Sequence, residues 1–203
     1  MKTTVRPAIL ILAVGALAFS LGYVAFPHAE TDHLAGAGDY AGLTMDAGTT
    51  AAGFALARLD GTTLSAEELK GKIVVVDFWA TWCGPCLTEI PAYNAIQEDY
   101  RDRGVELLGV TLQSGSAEQV EEFLASPIQV GAEAFTLDYP VVMGNEEMEA
   151  QWGPIYGFPT TYLVDHNWKV RKKWLGAIPD KSAQIRYLVE QLIAERDGSP
   201  TTD

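Results

Sequence analysis

Cysteine and histidine are scarce in this chain of 203 residues, which has two cysteines and three histidines. A zinc site usually needs four ligands, so this scarcity argues against one. Basic residues are also few, because 14 Lys and Arg face 27 Asp and Glu and give a formal net charge of −13. Nucleic acids and anionic membrane surfaces attract positive charge, so neither is expected as a partner.

Both cysteines lie in the pentapeptide Trp-Cys-Gly-Pro-Cys, residues 82–86, which follows the apolar run of residues 73–79. A strand that leads into a Cys-x-x-Cys turn at a helix start is typical of a dithiol/disulfide redox site. On the first helical turn the two sulfurs share one face and can close a small ring. The positive end of the helix dipole favours a thiolate at Cys83, so we interpret Cys83 as the nucleophile and Cys86 as the resolving thiol.

Half of a zinc site and a purely structural disulfide are the alternatives for this pair. Only His28, His33 and His166 could add imidazole ligands, and two of them lie in the N-terminal segment. A disulfide that closes so small a loop constrains little of the unfolded chain, which favours redox function over a structural staple.

Two segments resemble the thioredoxin superfamily. Residues 76–86, Val-Asp-Phe-Trp-Ala-Thr-Trp-Cys-Gly-Pro-Cys, are similar to its active-site segment, and Pro91 matches its helix-kinking proline. Residues 157–161, Gly-Phe-Pro-Thr-Thr, resemble its cis-proline loop. Leu-Thr-Glu-Ile-Pro after the second cysteine, an insert over residues 112–138 and a membrane-type N-terminus resemble the TlpA/ResA branch of extracytoplasmic thiol-disulfide oxidoreductases.

This resemblance implies an α/β thioredoxin fold over residues 54–196, with a central mixed sheet flanked by helices, an N-terminal β-hairpin extension and a central helical insert. It also implies an enzyme that reduces protein disulfides with the Cys83–Cys86 pair and without another cofactor or a metal. The Gly-Pro spacer resembles that of reducing thioredoxins, whose potential is near ~−270 mV. The implied partners are protein disulfides, apocytochrome c among them, and a membrane thiol-electron donor. A metallochaperone or a thiol peroxidase-like protein on the same fold is the alternative.

Two carboxylates accompany the cysteines. Asp77 interrupts an apolar strand, where a carboxylate costs free energy unless it is hydrogen-bonded or protonated. The resemblance implies that Asp77 takes the proton of Cys86 during exchange. Glu89 follows Cys86 by three residues, and the resemblance gives it a role in tuning the cysteines. A solvated carboxylate near the helix start is the other interpretation of Glu89.

The resemblance further implies a substrate-binding surface formed by Trp82, Gly84, Pro85, Phe158 and Pro159. Most X-Pro bonds are trans, but the match to the family loop predicts a cis bond before Pro159. The backbone of Phe158 would then lie beside the disulfide and could pair with an extended substrate strand. Trp82 is expected to be exposed at the rim of the site.

An N-terminal signal anchor is predicted over residues 1–26. Lys2 and Arg6 precede the uncharged residues 7–26, which are long enough to span a bilayer with the positive flank in the cytoplasm. A cleaved signal peptide is the alternative, although no convincing cleavage site follows Phe26. The catalytic domain would lie outside the bacterial cytoplasmic membrane, behind a flexible linker over residues 27–53, and residues 197–203 would form a disordered tail.

Periodicity predicts alternating strands and helices in the domain. A hairpin is expected over residues 54–64, and residues 127–136 are expected to be irregular. The other strands are predicted at 73–79, 105–112, 140–143, 160–164 and 169–175, and the helices at 83–103, 116–125, 146–152 and 179–195.

Overall fold

A strand of seven buried residues, Ile73–Trp79, lies at the centre of the fold. Its β-branched and aromatic side chains favour a strand that is covered on both faces, as predicted. The computed structural model describes residues 43, 45–46 and 48–198. Its strands are β1 (Thr49–Thr50), β2 (Ala55–Ala57), β3 (Thr63–Ser65), β4 (Ile73–Trp79), β5 (Val105–Thr111), β6 (Ile128–Val130), β7 (Glu133–Phe135), β8 (Val141–Met143), β9 (Thr160–Val164) and β10 (Lys169–Leu175), and its α-helices are α1 (Gly84–Tyr100), α2 (Ala117–Leu124), α3 (Glu146–Gln151) and α4 (Lys181–Asp197).

Six strands form one sheet in the order β1-β10-β9-β4-β5-β8. β4, β5 and β8 are parallel, whereas β9 runs antiparallel to β4 and pairs with β10 in a hairpin. The predicted mixed sheet is therefore confirmed. Two smaller hairpins, β2–β3 and β6–β7, lie outside it.

Alternation along β4 divides the core between the two faces of the sheet. Val74, Val76 and Phe78 pack with the β2–β3 hairpin and with a cluster of aromatic rings. Ile73 and Val75 pack on the other face against α1 and α4. Trp79 lies at the end of β4 in a small cluster with both cysteines. The cysteines and the buried faces of α1 and α4 are thus on the same side of the sheet.

Helix starts follow the sequence closely. Ser116 caps α2 by accepting a hydrogen bond from the Gln119 N–H, and a capping box at Ser65 starts a 3-10 helix over Ala66–Leu69. Pro91 lies inside α1, and the predicted end of that helix is a 3-10 turn, Arg101–Arg103. Asp180 occupies the cap position of α4 in a left-handed conformation, without a side-chain capping bond.

Two expectations about irregular segments were wrong. Residues 127–136 form the β6–β7 hairpin, in which Ile128 pairs with Phe135 across a turn at Gly131. The central insert is therefore helix α2 followed by a hairpin. Ordered structure also begins before Phe54, because Thr49 and Thr50 pair with β10. Both segments are too short for a period to stand out, and pairing with a partner strand stabilises them.

The predicted signal anchor and most of the predicted linker lie outside the described residues, as does the predicted tail beyond residue 198. Asp197, predicted as the first residue of the disordered tail, is instead the last residue of α4. Within the part of the chain that is described, no helix combines the length and the apolar character needed to cross a bilayer.

Candidate active site

The two cysteines join the end of β4 to the start of α1. Cys83 is the cap residue of α1 in an extended conformation, and the Cys86 N–H donates a hydrogen bond to its sulfur at 3.2 Å. The two residues form a disulfide. Pro85 is tolerated here because first-turn N–H groups have no helical acceptor. Cys83 is 5% exposed and Cys86 2%, so the residue predicted to attack is the more accessible one.

The loop before β9 lies beside this disulfide. The Phe158–Pro159 bond is cis, as predicted. Phe158 packs against the cluster that contains both cysteines, and its ring meets the Trp82 ring edge-on at 5.7 Å. Trp82 is 62% exposed and is held by a hydrogen bond from its indole N–H to the Gln113 carbonyl at 2.8 Å. Trp82, Gly84 and Pro85 are neighbours of the cysteines in the chain, and the fold brings the distant Phe158 to them. Pro159 follows Phe158 directly.

Asp77 lies in β4 on the same side as Val75 and Trp79, because side chains alternate along a strand. This is the side that carries Cys86 and the buried face of α1. Asp77 is only 2% exposed, and it accepts a hydrogen bond from the Thr161 hydroxyl at 2.8 Å. Burial raises the pKa of Asp77 to about 7, and the nearby charge of Glu89 adds to this effect, whereas Lys181 and the Thr161 hydrogen bond oppose it.

Glu89 is paired and largely enclosed. Its carboxylate lies 2.8 Å from the Lys181 ammonium, and the two side chains are 15% and 2% exposed. Burial raises the pKa of Glu89, and the hydrogen bond and charge of Lys181 oppose that rise. A freely solvated carboxylate does not describe this geometry. Its effect on the cysteines stays a prediction.

Three residues that the sequence did not single out complete this buried group: Lys181, Thr161 and Tyr93. The Lys181 ammonium and the Tyr93 hydroxyl lie 3.2 and 3.1 Å from the Thr161 hydroxyl. A lysine in the first turn of a helix opposes the helix dipole, so its position in α4 was a signal that it has a partner elsewhere. Tyr93 follows Cys86 by two helical turns and so lies on the same face of α1.

The described residues offer no cluster of side chains for a metal ion. Among residues 43, 45–46 and 48–198, no three His, Cys, Asp or Glu side chains are placed to hold an ion. His166, the ligand considered with the cysteines for a metallochaperone, lies in the turn between β9 and β10, with its ring 3.0 Å from the Asn167 amide.

Known proteins resemble both the sequence and the structure. The thiol-disulfide oxidoreductase ResA of Geobacillus thermodenitrificans is 32% identical over 84% of this chain and 86% of its own length. The thioredoxin-like protein YneN of Bacillus subtilis is 31% identical over 68% of this chain and 76% of its own.

A solved structure supports the same relationship. The crystal structure of a thiol:disulfide interchange protein of the thioredoxin family from Chlorobium tepidum is 26% identical, with a TM-score of 0.60 over 73% of this chain and 98% of that one. The predicted thioredoxin fold is thereby confirmed. Residues 47–173 also match the AhpC/TSA family. This match covers more than half of the chain, which therefore belongs to the AhpC/TSA family of thioredoxin-like proteins.

Proposed function

We propose that this chain is a thiol-disulfide oxidoreductase that reduces protein disulfides outside the cytoplasm. The observation that carries the proposal is the Cys83–Cys86 disulfide at the start of α1, next to the Phe158 loop. Its relatives are named as enzymes of this class. Phe158 packs against the cluster that contains both cysteines, and its ring contacts the exposed Trp82 ring. An extended substrate segment can approach the disulfide beside these two residues.

The reaction begins with the reduced pair. The Cys83 thiolate attacks one sulfur of a substrate disulfide, so that a Cys83–substrate S–S bond forms and the other substrate sulfur leaves as a thiolate. Cys86 gives its thiol proton to the Asp77 carboxylate and attacks the Cys83 sulfur. The Cys83–Cys86 disulfide closes and the second substrate sulfur leaves as a thiolate. Two electrons have then passed to the substrate, whose thiolates take protons from solvent.

The proposal extends to location and partners. A predicted anchor over residues 7–26 would hold the domain at the outer face of the cytoplasmic membrane, where a membrane thiol-electron donor would reduce the disulfide again. Haem-site thiols of apocytochrome c are the proposed substrate. A Cys86→Ala variant keeps the attacking sulfur and lacks the resolving one, so it should trap the partner as a mixed disulfide that mass spectrometry can identify.

Insulin reduction tests the activity itself. The full chain in detergent should accelerate insulin precipitation when dithiothreitol is supplied as the reductant. Cys83→Ser should abolish the acceleration, because serine cannot form the mixed disulfide. Cys86→Ala is the matched control, since it should lose turnover while it still forms the covalent intermediate. Turnover retained by Cys83→Ser would refute the mechanism.

A further inference from the structure

Asp77 is enclosed on every side, yet the proposed exchange requires it to gain and lose a proton. It lies under α1 and α4 at 2% exposure. The titratable and charged groups that face it are Glu89 and Tyr93 from α1, Lys181 from α4, and Tyr139 from the segment before β8. A proton therefore needs a route through this group to reach solvent.

A continuous series of hydrogen bonds leads away from Asp77. Its carboxylate lies 2.8 Å from the Thr161 hydroxyl, which lies 3.1 Å from the Tyr93 hydroxyl. The Tyr93 hydroxyl lies 3.4 Å from the Glu89 carboxylate, one helical turn earlier in α1. Glu89 is the most exposed member, at 15% of its side chain. The series thus connects the buried acid to the carboxylate of a partly exposed side chain.

Both intermediate groups suit proton transfer. The Thr161 and Tyr93 hydroxyls can each donate one hydrogen bond and accept others. The direction of every hydrogen bond in the series can therefore be reversed without moving a heavy atom. When Asp77 is protonated, each group donates toward Glu89. When Glu89 is protonated, each group donates toward Asp77. The order of the four groups is the same in the two states, and only the hydrogen positions differ.

Lys181 balances the charge in both states. Its ammonium contacts the Glu89 carboxylate at 2.8 Å and the Thr161 hydroxyl at 3.2 Å. One buried cation neutralises one buried anion, so the cluster is neutral when Asp77 and Glu89 share a single proton. Two carboxylates coupled in this way titrate as a pair. Moving the proton between them therefore leaves the buried net charge unchanged, which avoids a large desolvation cost.

We propose that Thr161 and Tyr93 relay a proton between Asp77 and Glu89, with Lys181 as the positioning residue. The inference rests on the proposed function, because that function supplies the reason for Asp77 to change its protonation state. In the outward step the Asp77 proton passes to Thr161, the Thr161 proton passes to Tyr93, and the Tyr93 proton passes to Glu89. Glu89 then releases one proton to water, and both hydroxyls are restored.

A pH jump on the oxidised full chain tests the relay without using enzymatic activity. The infrared band of the protonated Asp77 carboxyl group is followed in time after a laser-triggered jump, and the band is assigned by its loss in Asp77→Asn. Tyr93→Phe removes only one hydroxyl and should slow the decay of the band by about tenfold or more. Tyr139→Phe is the matched control, because it removes a hydroxyl from the adjacent ring, 6.4 Å away, and should leave the rate within about twofold.

Other variants keep the test decisive. Thr161→Val interrupts the series at the neighbouring position and keeps nearly the same side-chain shape. It should also slow the decay of the Asp77 band, and it replaces Tyr93→Phe in the test if that variant does not fold. Glu89→Gln removes the group that takes up the proton at the end of the series, at a partly exposed position, and should slow the decay of the band as well. An unchanged Asp77 rate in a folded variant of this set would overturn the relay. Failure of the insulin assay would instead overturn the proposed function, because the infrared measurement does not depend on it.

Discussion

At the scale of single residues, Asp77 makes the fold sensitive to pH. Its pKa is raised from 3.8 to about 7 by burial. Between these values the native protein holds a proton that the unfolded chain has lost. The contribution of Asp77 to the free energy of unfolding is therefore largest below pH 3.8, falls as the pH rises to about 7, and is level above that pH. Asp77→Asn cannot ionise and should escape this loss. The free energy of unfolding of Asp77→Asn minus that of the parent should therefore increase by roughly 2–3 kcal/mol from pH 5 to pH 8.5.

Urea unfolding of the oxidised proteins at both pH values measures this difference. Asp102→Asn is a suitable control, because Asp102 is exposed on the 3-10 turn after α1. This substitution should change the free energy of unfolding by the same amount at the two pH values. If Asp77→Asn and the parent showed the same pH dependence of unfolding, folding would not raise the pKa of Asp77 and the prediction would be wrong.

The same residue shows how far the sequence could predict the site. A carboxylate in the middle of an apolar strand is visible in the sequence, so Asp77 could be identified from its neighbours alone. Lys181 could not, because its two partners, Glu89 and Thr161, come close only when α4 packs on α1 and β9. Tyr93 likewise fits an ordinary core position until its hydroxyl is placed. Local chemistry was predictable here, and contacts between distant segments were not.

At the scale of elements, α3 depends on one side chain. Asn145 precedes it in an extended conformation and accepts a hydrogen bond from the Met148 N–H at 2.8 Å. Met148 is buried in the aromatic core, so the short helix is fixed from both sides. Asn145→Ala leaves that N–H without its acceptor and should lower the free energy of unfolding by about 1 kcal/mol. Insulin reduction should not change, since α3 does not contribute to the site.

Chemical denaturation of Asn145→Ala, Asn145→Asp and the parent checks this prediction. Aspartate is also a good cap, so Asn145→Asp should keep most of the stability. An equal loss in both variants would show that the amide group, and not the capping bond, stabilises the helix start.

Long elements with a distinct sequence pattern were predictable, and short elements that depend on a partner strand were not. β4, α1 and the β9–β10 hairpin are long enough for a pattern to define them. β6, β7 and β1 have three, three and two residues, which is too short for a pattern. In retrospect Ile128 and Val130 alternate with a polar residue before Gly131, which is a weak hairpin signal.

At the scale of the whole molecule, the two faces of the sheet are covered differently. One face carries aromatic rings from distant segments, including Phe78, Trp152 and Tyr162, with centroids 5.3–6.0 Å apart. The other face is covered by α1 and α4 with mainly aliphatic contacts. The polar group around Asp77 lies only on the helical face, so each polar atom there must find its partner among two helices and two strands.

The full chain should stay in the membrane fraction after alkaline extraction. This expectation follows from the uncharged residues 7–26 after Lys2 and Arg6, whose apolar length matches a bilayer. Leu17→Arg places a charge at the centre of the span, at a cost of about 2.5–3.5 kcal/mol, and should release more protein. Cys83, once reduced, should react with an impermeant alkylating reagent in intact cells. A soluble mature protein whose N-terminus lies beyond Phe26 would contradict the prediction.

The pairing of β4 with β9 has one last consequence. Asp77 lies directly opposite Thr161 in this ladder, the cysteines follow β4 along the chain, and the Phe158 loop precedes β9. One inter-strand alignment therefore sets the positions of the acid, the hydroxyl, the sulfurs and the loop, and a slip of one residue would turn every side chain to the opposite face. Changes in loop length elsewhere, such as in the β6–β7 hairpin, need not disturb them. A change that shifted this strand register would therefore separate the acid, the sulfurs and the loop together, even if α1 and α4 kept their places on the sheet.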